Sequence, residues 1–135
     1  MPFKFENLEV WQLSIDYVDL MYQIGDGLPR HEEYNLKSQL VRAATSVSLN
    51  IAEGSTGQSD PEQARFLSMA IRSLLETVAC QHLIRRRNYL SDTKSLDVAY
   101  QNAEMLAAKL HSFRKAIAPE KYAVRDTEAF YSIED

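Results

Sequence analysis

Between residues 96 and 117 the apolar side chains fall at alternating steps of three and four: Leu96, Ala99, Ala103, Leu106, Leu110, Phe113 and Ile117. At about 3.6 residues per turn this spacing lines them up as one stripe, the seam of a helical bundle. Leu36, Leu40, Ala43, Val47 and Ile51 repeat the pattern. Around them Ala43, Ala44, Ser46, Ser48 and Ala52 are small enough to let a neighbouring backbone come close. A further stretch turns Phe66, Leu67, Ala70, Ile71, Leu74, Leu75 and Val78 coreward. No strand-like alternation competes with these helices.

The punctuation fits four helices. Gly25-Asp-Gly-Leu-Pro29 stops a first helix that starts near Leu8. Asn35 is placed to cap a second that reaches Gly54. Ser59 or Asp60, followed by Pro61 and Glu62, opens a third running to Asn88. Ser91 or Asp92 caps a fourth, which stops before Pro119. Short connections make neighbours antiparallel. The expected fold is all-α, an antiparallel up-down four-helix bundle over residues 3–118. Residues 119–135 are expected to form a C-terminal tail, partly ordered or flexible.

The first helix departs from the one-stripe rule. Leu8, Trp11, Ile15, Val18 and Tyr22 form one apolar line, and Val10, Leu13, Tyr17, Leu20 or Met21, and Ile24 form another. Only Glu9, Gln12, Asp16, Asp19 and Gln23 are left for a narrow polar face. A bundle helix needs one apolar stripe, so the second marks an interaction surface. Val10, Leu13, Tyr17, Met21 and Ile24 are accordingly expected to form an oligomer interface. The alternative is that loops or the tail, with Tyr122, Phe130 and Tyr131, cover that face.

Composition narrows the possibilities. A chain of 135 residues with 45% hydrophobic and 25% charged residues has the balance of one ordinary folded domain. Four glycines and four prolines leave room for few turns. No apolar run approaches the roughly 20 residues of a membrane span, and the first residues show no signal-peptide pattern. One cysteine, Cys80, cannot form an internal disulfide, which makes a cytoplasmic location the expectation. Net charge is −4 but unevenly placed: residues 1–33 carry two basic and seven acidic side chains, while residues 65–90 carry five arginines against Glu76. The acidic first helix and basic third helix could neutralise each other within the bundle or between subunits.

Candidate chemistry is sparse. A di-metal carboxylate bundle needs glutamates with a histidine three residues on, and Glu53, Glu76 and Glu104 lack one. His31, His82 and His111 have no carboxylate at the matching offset. Cys80 reads as a buried or semi-buried thiol, not a catalyst. Glu53-Gly-Ser-Thr-Gly57 is a helix stop and turn, not a phosphate loop. No catalytic residue, metal site or cofactor is expected. Arg42, Ser46, Asn50 and Glu53 form a candidate polar network, either fixing helix register or contacting a ligand. Arg85, Arg86 and Arg87, with Arg65 and Arg72 on the same helix, are the candidate nucleic-acid contacts. Arg85, Arg86 and Arg87, in the last turns of that helix, suit the negative end of the helix dipole at least as well.

Several segments together resemble a known family. Phe3-Lys-Phe-Glu-Asn-Leu-Glu-Val-Trp-Gln12, the turn from Pro29 to Glu33-Tyr34, Arg42-Ala43-Ala44, Asn50-Ile-Ala-Glu-Gly54 and Glu62…Phe66-Leu67 are similar to the four-helix bundle proteins also called 23S ribosomal RNA intervening-sequence proteins. The resemblance implies an antiparallel four-helix bundle that assembles as a homopentamer. More distant relatives act as accessory subunits of diversity-generating retroelements, where a basic pentameric barrel engages nucleic acid and a reverse transcriptase. This chain departs from them in being acidic.

The expectation is therefore a non-catalytic homo-oligomeric bundle, a pentamer, serving as a scaffold or adaptor for a protein partner. The first alternative is an accessory protein that binds RNA or DNA, and the second is a small-molecule-binding or enzymatic bundle. No membrane association is expected.

Overall fold

The chain's capping residues set where its helices start and stop. A computed structural model describes residues 2–57 and 59–118, and the expected tail lies outside the described residues. Helix α1 spans Glu9–Asp26, α2 Leu36–Gly54, α3 Asp60–Arg86 and α4 Lys94–Ile117. The Ser59 hydroxyl accepts from the Glu62 backbone N–H, as a cap should. Asn88 ends α3 by taking φ +56°, the left-handed conformation that asparagine tolerates better than most residues.

Two caps differ from expectation. Asn35 precedes α2, but its amide donates to Glu32 Oε1 at 2.9 Å and its oxygen accepts from Gln39 Nε2 at 3.1 Å. Thr93, not Ser91 or Asp92, is the residue flanking α4. Asp92 still contributes, accepting from the Lys94 N–H at 2.9 Å. Short 3-10 turns at Lys4–Asn7 and Arg30–Glu32 fill the approaches to α1 and α2.

Cross-helix pairs fix the topology. Lys37 at the start of α2 reaches Asp26 at the end of α1, and the Ser73 hydroxyl donates to Ser46 between α2 and α3. Arg85 late in α3 bonds Asp97 early in α4, while Arg114 late in α4 bonds Ser68 early in α3. Lys109 late in α4 bonds Glu9, the first residue of α1. Every sequential pair is antiparallel. Each helix packs on the next and α4 packs on α1, with no close backbone contact across either diagonal. The bundle is thus a square, α1 opposite α3 and α2 opposite α4. None of the described helices is long and apolar enough to cross a membrane.

The stripes of α2 and α4 fall where their periodicity put them. Leu36, Leu40, Ala43, Val47 and Ile51 are buried, as are Leu96, Ala99, Ala103, Leu106 and Leu110. Phe113 and Ile117 pack against that core from its edge. The α2–α3 contact is the most extensive of the four. At its tightest point a Cβ on Gly54 would stand 2.9 Å from Phe66 Cβ.

In α1 the expected roles of the two stripes are reversed. Val10, Tyr17, Met21 and Ile24, assigned to an oligomer interface, are 6%, 1%, 0% and 2% exposed in the single chain. Leu13 packs half-buried against the same core. Of the line assigned to the core, Ile15 is 37% and Tyr22 48% exposed, with Leu8, Trp11 and Val18 half-buried. Ser14 and Gly25 explain the choice. Both are buried on the Val10–Ile24 side, where their small size lets α1 settle inward. The Ser14 hydroxyl is satisfied by the Trp11 carbonyl at 2.6 Å. Tyr17 also finds polar partners in the interior, which removes the main objection to burying it.

Candidate functional site

The reversal leaves an apolar surface along the outer flank of α1. Gly25 lies against Lys37 and Val41 of α2, so residues at its helical phase, Trp11 and Val18, flank α2. Ile15 and Tyr22 stand just outside them. Phe5 of the first 3-10 turn meets the Trp11 ring edge-on at 4.8 Å and extends the surface. On α2, Leu49 is 62% exposed on the outer edge of the helix, opposite its buried stripe. A second apolar line lies on α4, where Val98 and Met105 are 48% and 43% exposed. It shares a helical flank with Lys109, whose ammonium donates to Glu9 at 3.1 Å, so it faces the α1 side. Beside Lys109, an open groove of about 540 Å³ separates the two helices, lined by Leu8, Val10, Ala108 and Phe113 among others.

The candidate polar network forms only in part. Asn50 Nδ2 donates to the Ser46 carbonyl at 2.9 Å and to Ser46 Oγ at 3.0 Å, and Ser73 Oγ reaches Ser46 Oγ at 2.9 Å. Ser46 and Asn50 therefore tie α2 to α3 and fix their register. Arg42 and Glu53 are exposed and stand apart from these bonds.

The five arginines divide. Arg65 pairs with Glu62 and lies over the Phe66 ring at 5.3 Å. Arg85 turns toward α4 and bonds Asp97 at 2.8 Å. Arg87 caps the C-terminal end of α3. Arg72 and Arg86 fall with Arg65 along the outer face of α3, with Glu76 between them. The acidic face of α1 occupies the opposite corner of the square, so the two charged helices point apart and cannot neutralise each other inside one bundle.

Three polar clusters were not legible as such from spacing. In the core, Gln81 Nε2 donates to Tyr17 Oη at 2.6 Å, Tyr17 bonds Thr77 Oγ1 at 2.7 Å, and Thr77 donates to the Leu74 carbonyl at 2.6 Å. Burial pushes the Tyr17 phenol up to about 12, against the opposing effect of these bonds. Gln81 Oε1 is buried with no hydrogen-bond partner among the described residues. At the connections, Glu32 is buried and accepts from Tyr89 Oη at 2.6 Å and Asn35 Nδ2 at 2.9 Å. These bonds, Tyr89 first, hold its carboxyl below the ordinary range, and the bond to Glu32 raises the Tyr89 phenol. His31 Nε2 reaches Tyr89 Oη at 3.2 Å. This cluster clamps the α1–α2 connection to the α3–α4 connection. Arg114 is buried, its guanidinium bonding Ser68 at 3.0 Å and His111 Nδ1 at 3.1 Å. Sequence patterns miss all three because each hinges on a distant pair: Tyr17 with Thr77 and Gln81, Glu32 with Tyr89, and Arg114 with Ser68.

Cys80 is buried as expected, and burial pushes its thiol up, away from the reactive thiolate. Among the described residues no group of three or more His, Cys, Asp or Glu side chains converges on a point that could hold a metal ion.

A family model described as 23S rRNA-intervening sequence protein matches residues 6–112. A solved structure, of a protein with unknown function from the S23 ribosomal protein family of Bacteroides thetaiotaomicron VPI-5482, has the same fold. It is 21% identical, covers 78% of this chain and 98% of its own, and superposes with a TM-score of 0.72. No curated protein matches the chain significantly.

Proposed function

The chain belongs to the 23S rRNA-intervening sequence protein family, and from that premise we propose that it is a non-catalytic, cytoplasmic, homo-oligomeric bundle, a pentamer, acting as a scaffold or adaptor. The exposed apolar surface of α1 carries this reading. Trp11, Ile15, Val18 and Tyr22 follow one another along a single flank, Ile15 and Tyr22 exposed and Trp11 and Val18 half-buried. Contiguous apolar surface of this kind, rimmed by polar groups, is how association surfaces look on otherwise polar proteins. Neither the family's description nor that of the solved relative names a reaction. Light scattering coupled to size exclusion, after nuclease treatment, tests the reading. A discrete pentamer supports it and a stable monomer at micromolar concentration overturns it.

A second reading, association with RNA or DNA, draws on the outer row of Arg65, Arg72 and Arg86. Cations repeated along one helix and multiplied by an oligomer would bind a polyanion through counterion release, with strong salt dependence. Labelled RNA that shifts at low salt, and shifts less with Arg72→Ala and Arg86→Ala together, would favour it.

A further inference from the structure

The outer groove between α3 and α4 combines polar walls with a buried acceptor. It encloses about 360 Å³ and includes the Arg85–Asp97 ion pair. Leu96 and Gln81, 1% and 4% exposed, belong to its lining, so it reaches down to the core. Nearer the surface the rings of His82 and Tyr100 meet edge to face, their centroids 6.1 Å apart.

Charge in this groove is unbalanced in one direction. Arg85 and Asp97 cancel each other at 2.8 Å. Glu104 stands one heptad from Asp97, about 10.5 Å along α4, and forms no hydrogen bond or ion pair among the described residues. One carboxylate is therefore uncompensated. The groove between α1 and α4 differs, because its carboxylate, Glu9, is taken by Lys109.

Gln81 adds an unpaired acceptor. Its Nε2 donates to Tyr17 Oη at 2.6 Å and to Met21 Sδ at 3.7 Å, both on α1. These bonds turn the nitrogen arm of the amide toward α1. Oε1, on the other arm, is buried and has no partner among the described residues. Buried acceptors in folded proteins are nearly always paired, so this one marks a missing donor.

We propose that the groove is a binding site for an aliphatic primary amine. The ammonium group carries three donors and no acceptor, which matches what the groove lacks. Glu104 supplies its counter-charge, and the rings of Tyr100 and His82 offer aromatic surface to a cation. The methylene stem packs over Leu96, and Gln81 Oε1 accepts from an inward-turned N–H. An anion would be repelled by Glu104 and would find Arg85 already engaged. An apolar ligand would leave Oε1 unpaired. The site lies within a single chain, so it stands or falls independently of the oligomeric reading.

Calorimetric titration of the full chain at low salt tests the site. Cadaverine probes a free amine, and Nα-acetyl-lysine methylamide probes a lysine side chain borne by a protein. One-to-one, saturable binding of either is expected, and the tighter of the two names the source. Pentanol, with the same stem and no charge, should not bind. Glu104→Gln changes an exposed side chain and should weaken amine binding about tenfold, the loss of a hydrogen-bonded charge partner. Asp19→Asn, an equal change of charge on α1, should leave binding unaltered. In proton NMR the ring signals of His82 and Tyr100 should shift on titration while those of His31 stay in place. Failure of both amines to bind at millimolar concentration overturns the proposal. So does an Asp19→Asn effect equal to that of Glu104→Gln, which would reduce the binding to general attraction by an acidic protein. Shifts at His31 without shifts at His82 would likewise place the amine elsewhere.

Discussion

The α2–α3 and α1–α4 seams of this bundle are built on opposite plans. Between α2 and α3, small residues bring the backbones together until Gly54 nearly touches Phe66, and Ser46, Asn50 and Ser73 lock the register. Between α4 and α1, a long lysine reaches across to Glu9 beside an open groove of about 540 Å³. Close packing leaves little surface for anything else. The α1–α4 seam is looser, and on the α4 side of it Val98 and Met105 are left exposed. Close packing and hydrogen-bonded register thus mark the α2–α3 seam, and a single long ion pair beside a groove marks the α1–α4 one.

That contrast can be broken by substitution. The largest effect should come from Ile51→Ala, fully buried one turn before Gly54; denaturant unfolding should show a loss of about 2–5 kcal/mol. Gly54→Ala should follow at about 1–3 kcal/mol, because the new methyl collides with Phe66 Cβ and overpacking outweighs the gain in helix propensity. A neutral or stabilising Gly54→Ala would mean that the tight seam is looser than described.

Tyr17→Phe tests the diagonal between α1 and α3. Removing the hydroxyl strands the Gln81 amide in the core, a cost of about 1–3 kcal/mol by the same unfolding experiment. On the open seam Lys109→Ala should cost less than about 1 kcal/mol, since its ion pair with Glu9 is solvent-exposed and screened by salt.

The Glu32 clamp sharpens the comparison by pH. Its carboxyl is held below the ordinary range in the folded state, so its contribution is complete above the unfolded value. That contribution is lost as pH falls through the folded one. Thermal melts taken from neutral to acidic pH should therefore fall, and Glu32→Gln should flatten that part of the fall. An unchanged slope in Glu32→Gln would show that other carboxylates control it.

The same contrast explains what could be read from the sequence. In α2 and α4 a single apolar stripe leaves one possible inward face, so periodicity alone identifies the core. In α1 two stripes have equal periodicity, and hydrophobicity cannot choose between them. The deciding signals were Ser14 and Gly25, small residues in phase with Val10 and Ile24, and the hydrogen-bonding partners awaiting Tyr17 on α3. The first was visible in the sequence and easily overlooked. The second depends on which residues of α3 face α1, which only the fold supplies. Ser46 and Asn50 were legible as a pair because they lie one turn apart on one helix, whereas Glu32 and Tyr89 come from connections 57 residues apart.

Because the four described helices alternate in direction, α1 begins and α4 finishes at the same end of the bundle, where Glu9 meets Lys109. That end therefore carries the same Glu9–Lys109 pair in every copy. In a cyclic pentamer these ends would all lie on one rim, several identical surfaces close together. A partner with repeated sites would meet them at high effective concentration. Weak individual contacts could then add up to an avidity about 10²–10⁴ times that of one copy, without any single strong site.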